Sequence, residues 1–130
     1  MKLKGVLMIN GIVTSLSGML NAIRRTNITA NNIANLATPG FKAARADNVE
    51  LEGGGVRIGT LTHDDSPGPP LLDPAPGGPT EGSNVDLTTE TVNLLLNKRQ
   101  FEANLNALRA QDEALGHLLD TTDKDTLQQA

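Results

Sequence analysis

The sequence has no cysteine, no tryptophan and no tyrosine, and its only aromatic residues are Phe41 and Phe101. Without cysteine there is no disulfide, no thiolate metal site and no cysteine nucleophile, while the compartment stays open. A chain of 130 residues makes one domain, or a small domain with long arms. A thick core of that length would hold several large rings, because rings bury the most area per residue. Aromatics at 2% and hydrophobic residues at 38% favour thin, aliphatic helical packing instead. Positive charge is also short: 11 basic against 15 acidic residues give a net charge of −4. With no basic patch and no platform for bases to stack on, nucleic acid is excluded as a partner. No apolar run approaches the ~20 residues of a membrane span, so a membrane-inserted chain is not expected. Both ends lack proline, since all seven prolines fall between Pro39 and Pro79.

What is there divides into three segments, residues 1–40, 41–84 and 85–130. In the first, an arm from about Ile12 to Leu36 carries apolar residues at Ile12, Leu16, Met19, Ile23 and Ala30, ending on Ile33 or Ala34. The spacing alternates four and three, a heptad seam with Asn27 at one position. Asn27, Asn31 and Asn35 recur every four residues and form a stripe along one helix face. Asparagine is a poor helix former because its amide competes for backbone groups. A stripe of amides beside an apolar face suits a helix that bonds to another chain. Pro39 biases Thr38 out of the α region and Gly40 can take a positive φ, so the arm stops there. Ahead of it, Lys2 and Lys4 before Gly5-Val6-Leu7-Met8-Ile9 faintly match a signal peptide. That run is short, is broken by Asn10 and Gly11, and has no Ala-x-Ala after it. A cleaved signal is therefore not expected, and Met8 is an alternative start.

The middle changes character. Asn48–Glu52 and Val56–Ile58 alternate polar and apolar around Gly53-Gly54-Gly55, the pattern of a β-hairpin. From Ser66 to Gly82, prolines and glycines predict an extended, semi-rigid strap without a core. The second arm begins near Ser83-Asn84-Val85-Asp86, with Asp86 the preferred N-cap and Ser83 the next choice. Leu87, Leu94, Phe101, Leu105, Leu108, Leu115 and Leu119 share a four-three seam whose other positions are Thr91, Lys98 and Asp112. A helix of some 30 residues is about 45 Å long, too long to hide in a small globule, so it must pair along its length. Neither arm buries its seam alone, and helices draw most of their stability from packing. The isolated chain is therefore expected to be loosely ordered at both ends and to order on assembly. The tail from Thr121 to Ala130 is polar and is expected to fray.

No catalytic or ligand-binding constellation emerges. His63-Asp64-Asp65 are three adjacent residues, which do not converge on one ion. Ser17, Ser66 and Ser83 lack a G-x-S-x-G context, and two histidines supply no persuasive triad. The triple glycine lacks the Lys-Ser/Thr of a phosphate loop. His117 lies off the leucine seam, Glu50 and Glu52 fit the wet face of a strand, and Lys98-Arg99 fits a solvated surface. The expectation is a non-enzyme with no cofactor, no metal and no small-molecule substrate. A soluble two-helix adaptor that binds a partner helix in its groove is the alternative to a self-assembling subunit.

Both arms resemble the bacterial flagellar rod and hook family, the axial proteins of the basal body. The first motif is Ser15-Leu16-Ser17-Gly18-Met19 followed by Ile28-Thr29-Ala30-Asn31-Asn32-Ile33-Ala34-Asn35-Leu36-Ala37-Thr38-Pro39-Gly40-Phe41-Lys42, similar to the family's ANNIAN-x-x-TPGFK. The second is Ser83-Asn84-Val85-Asp86-Leu87-Thr88-Thr89-Glu90, continuing through Gln100-Phe101-Glu102-Ala103-Asn104 to Leu115-Gly116-His117-Leu118-Leu119-Asp120. The middle, with Asp64-Asp65-Ser66-Pro67 and Leu72-Asp73-Pro74, is most similar to the short proximal-rod members and departs from them after Pro74. The resemblance implies a mainly α structural subunit, with long terminal helices forming a coiled-coil layer around a small hairpin and strap. It further implies export through the flagellar type III apparatus without a cleaved signal, and helical stacking with copies and other rod subunits in the rod that crosses the periplasm. The residues expected at the assembly interface are Leu16, Met19, Ile23, Asn27, Asn31, Asn32, Asn35, Leu94, Phe101, Asn104, Leu105, Leu108 and Leu115.

Overall fold

The computed structural model describes residues 2–72 and 75–128. Helix α1 spans Lys2–Ala34, strand β1 Ala44–Glu50, strand β2 Val56–His63 and helix α2 Leu87–Gln128. The architecture is mainly α, two long helices plus one antiparallel two-stranded hairpin. Among the described residues, no helix is long and apolar enough to cross a membrane.

Both helices outrun their sequence-based limits. α1 starts ten residues before Ile12, because Gly5 and Gly11 each cost only about 1 kcal/mol in a helix interior and no proline interrupts. α2 runs through the stretch expected to fray and reaches Gln128, about 63 Å at 1.5 Å per residue. Asp86 caps it: one carboxylate oxygen accepts the Thr88 backbone N–H at 3.0 Å and the other accepts the Thr89 hydroxyl at 2.7 Å. α1 ends where Thr38-Pro39-Gly40 turns the chain, with Gly40 at φ 71°. A Cβ there would also meet the Pro79 ring at 3.0 Å.

The hairpin is longer than the alternation alone suggested. Ala44 pairs with His63 and Glu50 with Val56; between the Ala46–Leu61 and Asn48–Ile58 pairs the register shifts, Gly59 and Thr60 of β2 facing the single Asp47. The turn closes through Gly54 N–H to the Leu51 carbonyl at 2.9 Å, and Gly53, Gly54 and Gly55 all take positive φ. The tip leans on α1: Ser17 Oγ accepts the Val56 N–H at 3.1 Å, and Asn21 donates to Asn48 Oδ1 at 3.1 Å.

The proline-rich segment doubles back instead of running straight. Leu71 N–H donates to the Thr80 carbonyl and Gly82 N–H to Pro69, around a turn closed from Gly78 to Ala75. Backbone groups that proline cannot satisfy locally find partners across this loop. Asp73 and Pro74 of the expected Leu72-Asp73-Pro74 lie outside the described residues.

The two helices pack antiparallel. A Cβ on Gly11 would meet Gln111, one on Gly18 would meet Asn104, and Asn32 bonds to Glu90. Moving by sevens up α1 thus moves by sevens down α2. The facing residues are small on α1, with Ser15, Gly18, Ala22 and Thr29 buried, and polar on α2, where Glu90 and Asn97 are buried. This shifts the heptad seam expected on α1 by one residue. Leu16 and Ile23, expected at the assembly interface, stand 47% and 45% exposed within the single chain; Ala30 is exposed too. Close helix approach selects the smallest side chains, whereas counting apolar residues selects the largest. On α2, Leu94, Phe101, Leu108 and Leu115 lie half-buried as one seam row. The second row is Glu90, Asn97, Asn104 and Gln111, not Thr91, Lys98, Leu105 and Asp112. Of those four, Leu105 is half-buried and the others are exposed.

Candidate assembly surface

Three features of the geometry bear on function. The first is a buried polar knot where α1, β1 and α2 meet. Asn32 acts as a strand partner: its Oδ1 accepts the Ala44 N–H at 2.9 Å and its Nδ2 donates to the Ala44 carbonyl at 2.9 Å. The same Nδ2 lies 3.2 Å from Glu90 Oε1. Glu90 is fully buried, paired with the Arg45 guanidinium through Oε1, while its Oε2 has no partner. A buried charge needs such partners, since leaving one alone costs several kcal/mol.

The second feature is a clasp joining residues far apart in sequence. Asn84 accepts the Ala43 N–H at 2.7 Å and donates to the carbonyls of Asp64 and Ser66. Lys42 bonds the Ser66 carbonyl at 2.9 Å and Glu81 at 2.6 Å, and Glu81 in turn accepts the Gly68 N–H. The Lys42 bond holds the Glu81 carboxyl below its usual range. Ser66 does the same for Asp64, first through its hydroxyl and then through its N–H. The Thr89 hydroxyl and Thr88 N–H lower Asp86. The Phe41-Lys42 end of the first motif and the Ser83–Asp86 start of the second are thus bonded into one junction.

The third feature is an inverted polarity of the helix pair. The α1 surface turned toward α2 is small and polar, and on α2 the polar row Glu90, Asn97, Asn104 and Gln111 lies beside the half-buried row Leu94, Phe101, Leu108 and Leu115; Asn21 Oδ1 and Asn97 Nδ2 are buried without partners among the described residues. The large aliphatic residues face out. Ile9, Val13, Leu16, Leu20 and Ile23 alternate four and three along one exposed edge of α1, and Val92, Leu95 and Leu96 are exposed on α2. An exposed apolar strip of this extent marks an interaction site.

The residues expected at the interface divide between these surfaces. Leu16 and Ile23 lie on the open edge, with Met19 half-buried beside it. Asn27 and Asn31 are exposed, and Asn35 is half-buried, donating to the Asn31 carbonyl and accepting from Thr38. Asn32 is instead committed within the chain. Leu94, Phe101, Leu105, Leu108 and Leu115 are half-buried on α2. Asn104 sits over Gly18 and donates to the Gln100 carbonyl at 2.8 Å. His63 faces the Lys42 carbonyl at 3.4 Å and is exposed. Glu90 closes the Ser83–Glu90 part of the second motif, while sequence reasoning missed Asn97 and Gln111, although their seven-residue spacing with Glu90 and Asn104 was the signal.

Residues 12–42 match the family described as flagella basal body rod protein, and residues 78–121 match the flagellar basal body rod FlgEFG protein C-terminal family. No curated protein matches the chain. The matched segments cover more than half of the sequence, and they include Asn32 and Glu90 of the knot, Lys42, Glu81 and Asn84 of the clasp, and most of both faces of the helix pair. This chain belongs to the flagellar basal-body rod protein family, whose role is structural.

Proposed function

We propose that the chain is a structural subunit of the bacterial flagellar rod that self-assembles helically through its terminal helices and thereby serves motility. The supporting observation is the outward-facing edge Ile9, Val13, Leu16, Leu20 and Ile23 beside an inward seam of small and polar residues. Burying one such aliphatic side chain contributes about 1.5–3 kcal/mol, so these edges favour contact with other subunits over the in-chain seam. The helices then form a coiled-coil layer, with Asn27 and Asn31 free to bond across to copies or to other rod subunits. Export through the flagellar apparatus, without a cleaved signal, brings the chain to the rod across the periplasm.

The test combines gel filtration with circular dichroism and a tagged chain in purified basal bodies. The expected result is self-association at raised concentration, a further gain of helicity on assembly, and the tag in the rod. A chain that stays monomeric at every concentration, binds one small protein and is absent from basal bodies overturns the proposal in favour of an adaptor.

A further inference from the structure

A cavity of about 330 Å³ opens between α1, β1 and the start of α2, and neither the helix seam nor the apolar edges make use of it. One water occupies about 30 Å³ in the liquid, so the space takes a whole side chain. Its wall carries donors with nothing to donate to. Arg25 and Thr29 stand one turn apart on α1 and project side by side. Arg25 makes no ion pair or hydrogen bond among the described residues. Thr29 is only 5% exposed, yet its hydroxyl has no hydrogen-bond partner among the described residues. Thr26, Thr91 and Thr121 each return theirs to the carbonyl four residues earlier. Asn93 offers an unpartnered amide from α2. Arg45 also lines the cavity with its charge matched by Glu90, and the single acid on the wall is Asp47, which is exposed.

We propose that this cavity is a carboxylate socket that receives an acidic side chain from a neighbouring subunit. The source of the side chain rests on the rod reading; the chemistry does not. A guanidinium presents paired donors matched to a carboxylate, and the Thr29 hydroxyl and Asn93 amide supply further donors. α1 contains no acidic residue at all, whereas the whole chain carries 15. Apart from Asp47, a copy therefore presents its acids away from the wall that holds Arg25.

The test titrates labelled full-length chain with N-acetyl-glutamate amide, its glutamine counterpart and inorganic phosphate at fixed ionic strength, followed by NMR. Saturable shifts at Arg25, Thr29 and Asn93 are expected with glutamate, none with glutamine and weaker ones with phosphate. Arg25→Gln is expected to weaken glutamate binding about tenfold or more, the size of one charge-assisted bond. If that variant loses helicity, Thr29→Val carries the comparison with a smaller loss. Equal shifts with glutamine, tighter binding of phosphate, or no response at saturating glutamate overturns the socket. In cells, Arg25→Glu is expected to block incorporation while the purified chain keeps its helicity, and normal incorporation overturns the proposal. Glutamate binding by a chain absent from basal bodies supports the chemistry and refutes only the rod reading. A chain present in basal bodies but silent to glutamate refutes only the socket.

Discussion

Asn32→Ala tests the junction on which both helices and the hairpin converge. The side chain makes two neutral hydrogen bonds to Ala44 and one to the ion-paired Glu90, all buried. Neutral bonds contribute about 1 kcal/mol each and one to a charged group about 1.5–3 kcal/mol. Removing the amide also orphans the Ala44 N–H and carbonyl, so the expected loss is about 4 kcal/mol. That is roughly a thousandfold in the folding equilibrium and a large share of the 5–15 kcal/mol or so of a typical domain. The neighbouring Asn31→Ala removes an exposed amide and is expected to change stability by about 0.5 kcal/mol at most. Urea titration followed at 222 nm gives the pair of values, with an unchanged slope showing that the unfolded state is the same. Hydrogen exchange at the Ala44 N–H reports the junction directly and is expected to accelerate about as much as the equilibrium shifts. A loss below about 1 kcal/mol in Asn32→Ala, or equal losses in the two variants, refutes the account of the junction.

Three further outcomes follow from the same geometry. Gly18→Val forces a branched side chain into the space filled by Asn104, whose amide would lie 2.5 Å from the new Cβ; a loss of about 1–3 kcal/mol is expected, partly relieved in the double variant with Asn104→Ala, as thermal melts would show. Leu16→Asp and Ile23→Asp alter exposed residues, so they are expected to leave the purified chain's melting unchanged and to block its incorporation into rods, read in basal-body preparations. The Asp64, Glu81 and Asp86 carboxyls are all held below their ordinary values of 3.8 and 4.5. Their stabilisation is therefore complete above those values and is lost as the pH falls through the lower folded ones. The urea midpoint is expected to hold at neutral pH and to drop under acid, less so in Glu81→Gln, and a midpoint that rises on acidification contradicts it.

Local chemistry was legible in the sequence and distant pairing was not. The glycine triplet announced the hairpin turn because positive φ is a property of single residues, and Asp86 announced its helix for the same kind of reason. The strand ends were less legible: Ala44 owes its place in β1 partly to Asn32, twelve residues earlier. The seam on α1 was displaced because Gly11, Ser15, Gly18 and Ala22 repeat with the same four-three rhythm as the aliphatic residues beside them. Periodicity gives two candidate faces there and no rule for choosing between them. The choice depends on how near the partner helix comes, and that is set by Asn104 and Gln111 on a segment almost a hundred residues away. Arg25 and Thr29 share a helix face by their spacing alone, but only the approach of β1 and α2 makes that face a cavity wall.

The arrangement of polarity also explains why one chain can serve two states. A seam of small residues against amides favours one register of α1 on α2, because Asn104 takes the space that a side chain at position 18 would fill. Such a seam buries Leu94, Phe101, Leu108 and Leu115 only in part, so it yields less apolar burial than a leucine-packed one. The aliphatic edges carry the larger transfer free energy and remain outside. A subunit built this way folds to a defined shape through weak, exacting contacts and leaves its stronger association for neighbours. Reversing the pattern, with leucines inside and amides outside, would produce a more stable hairpin of helices and a poorer building block.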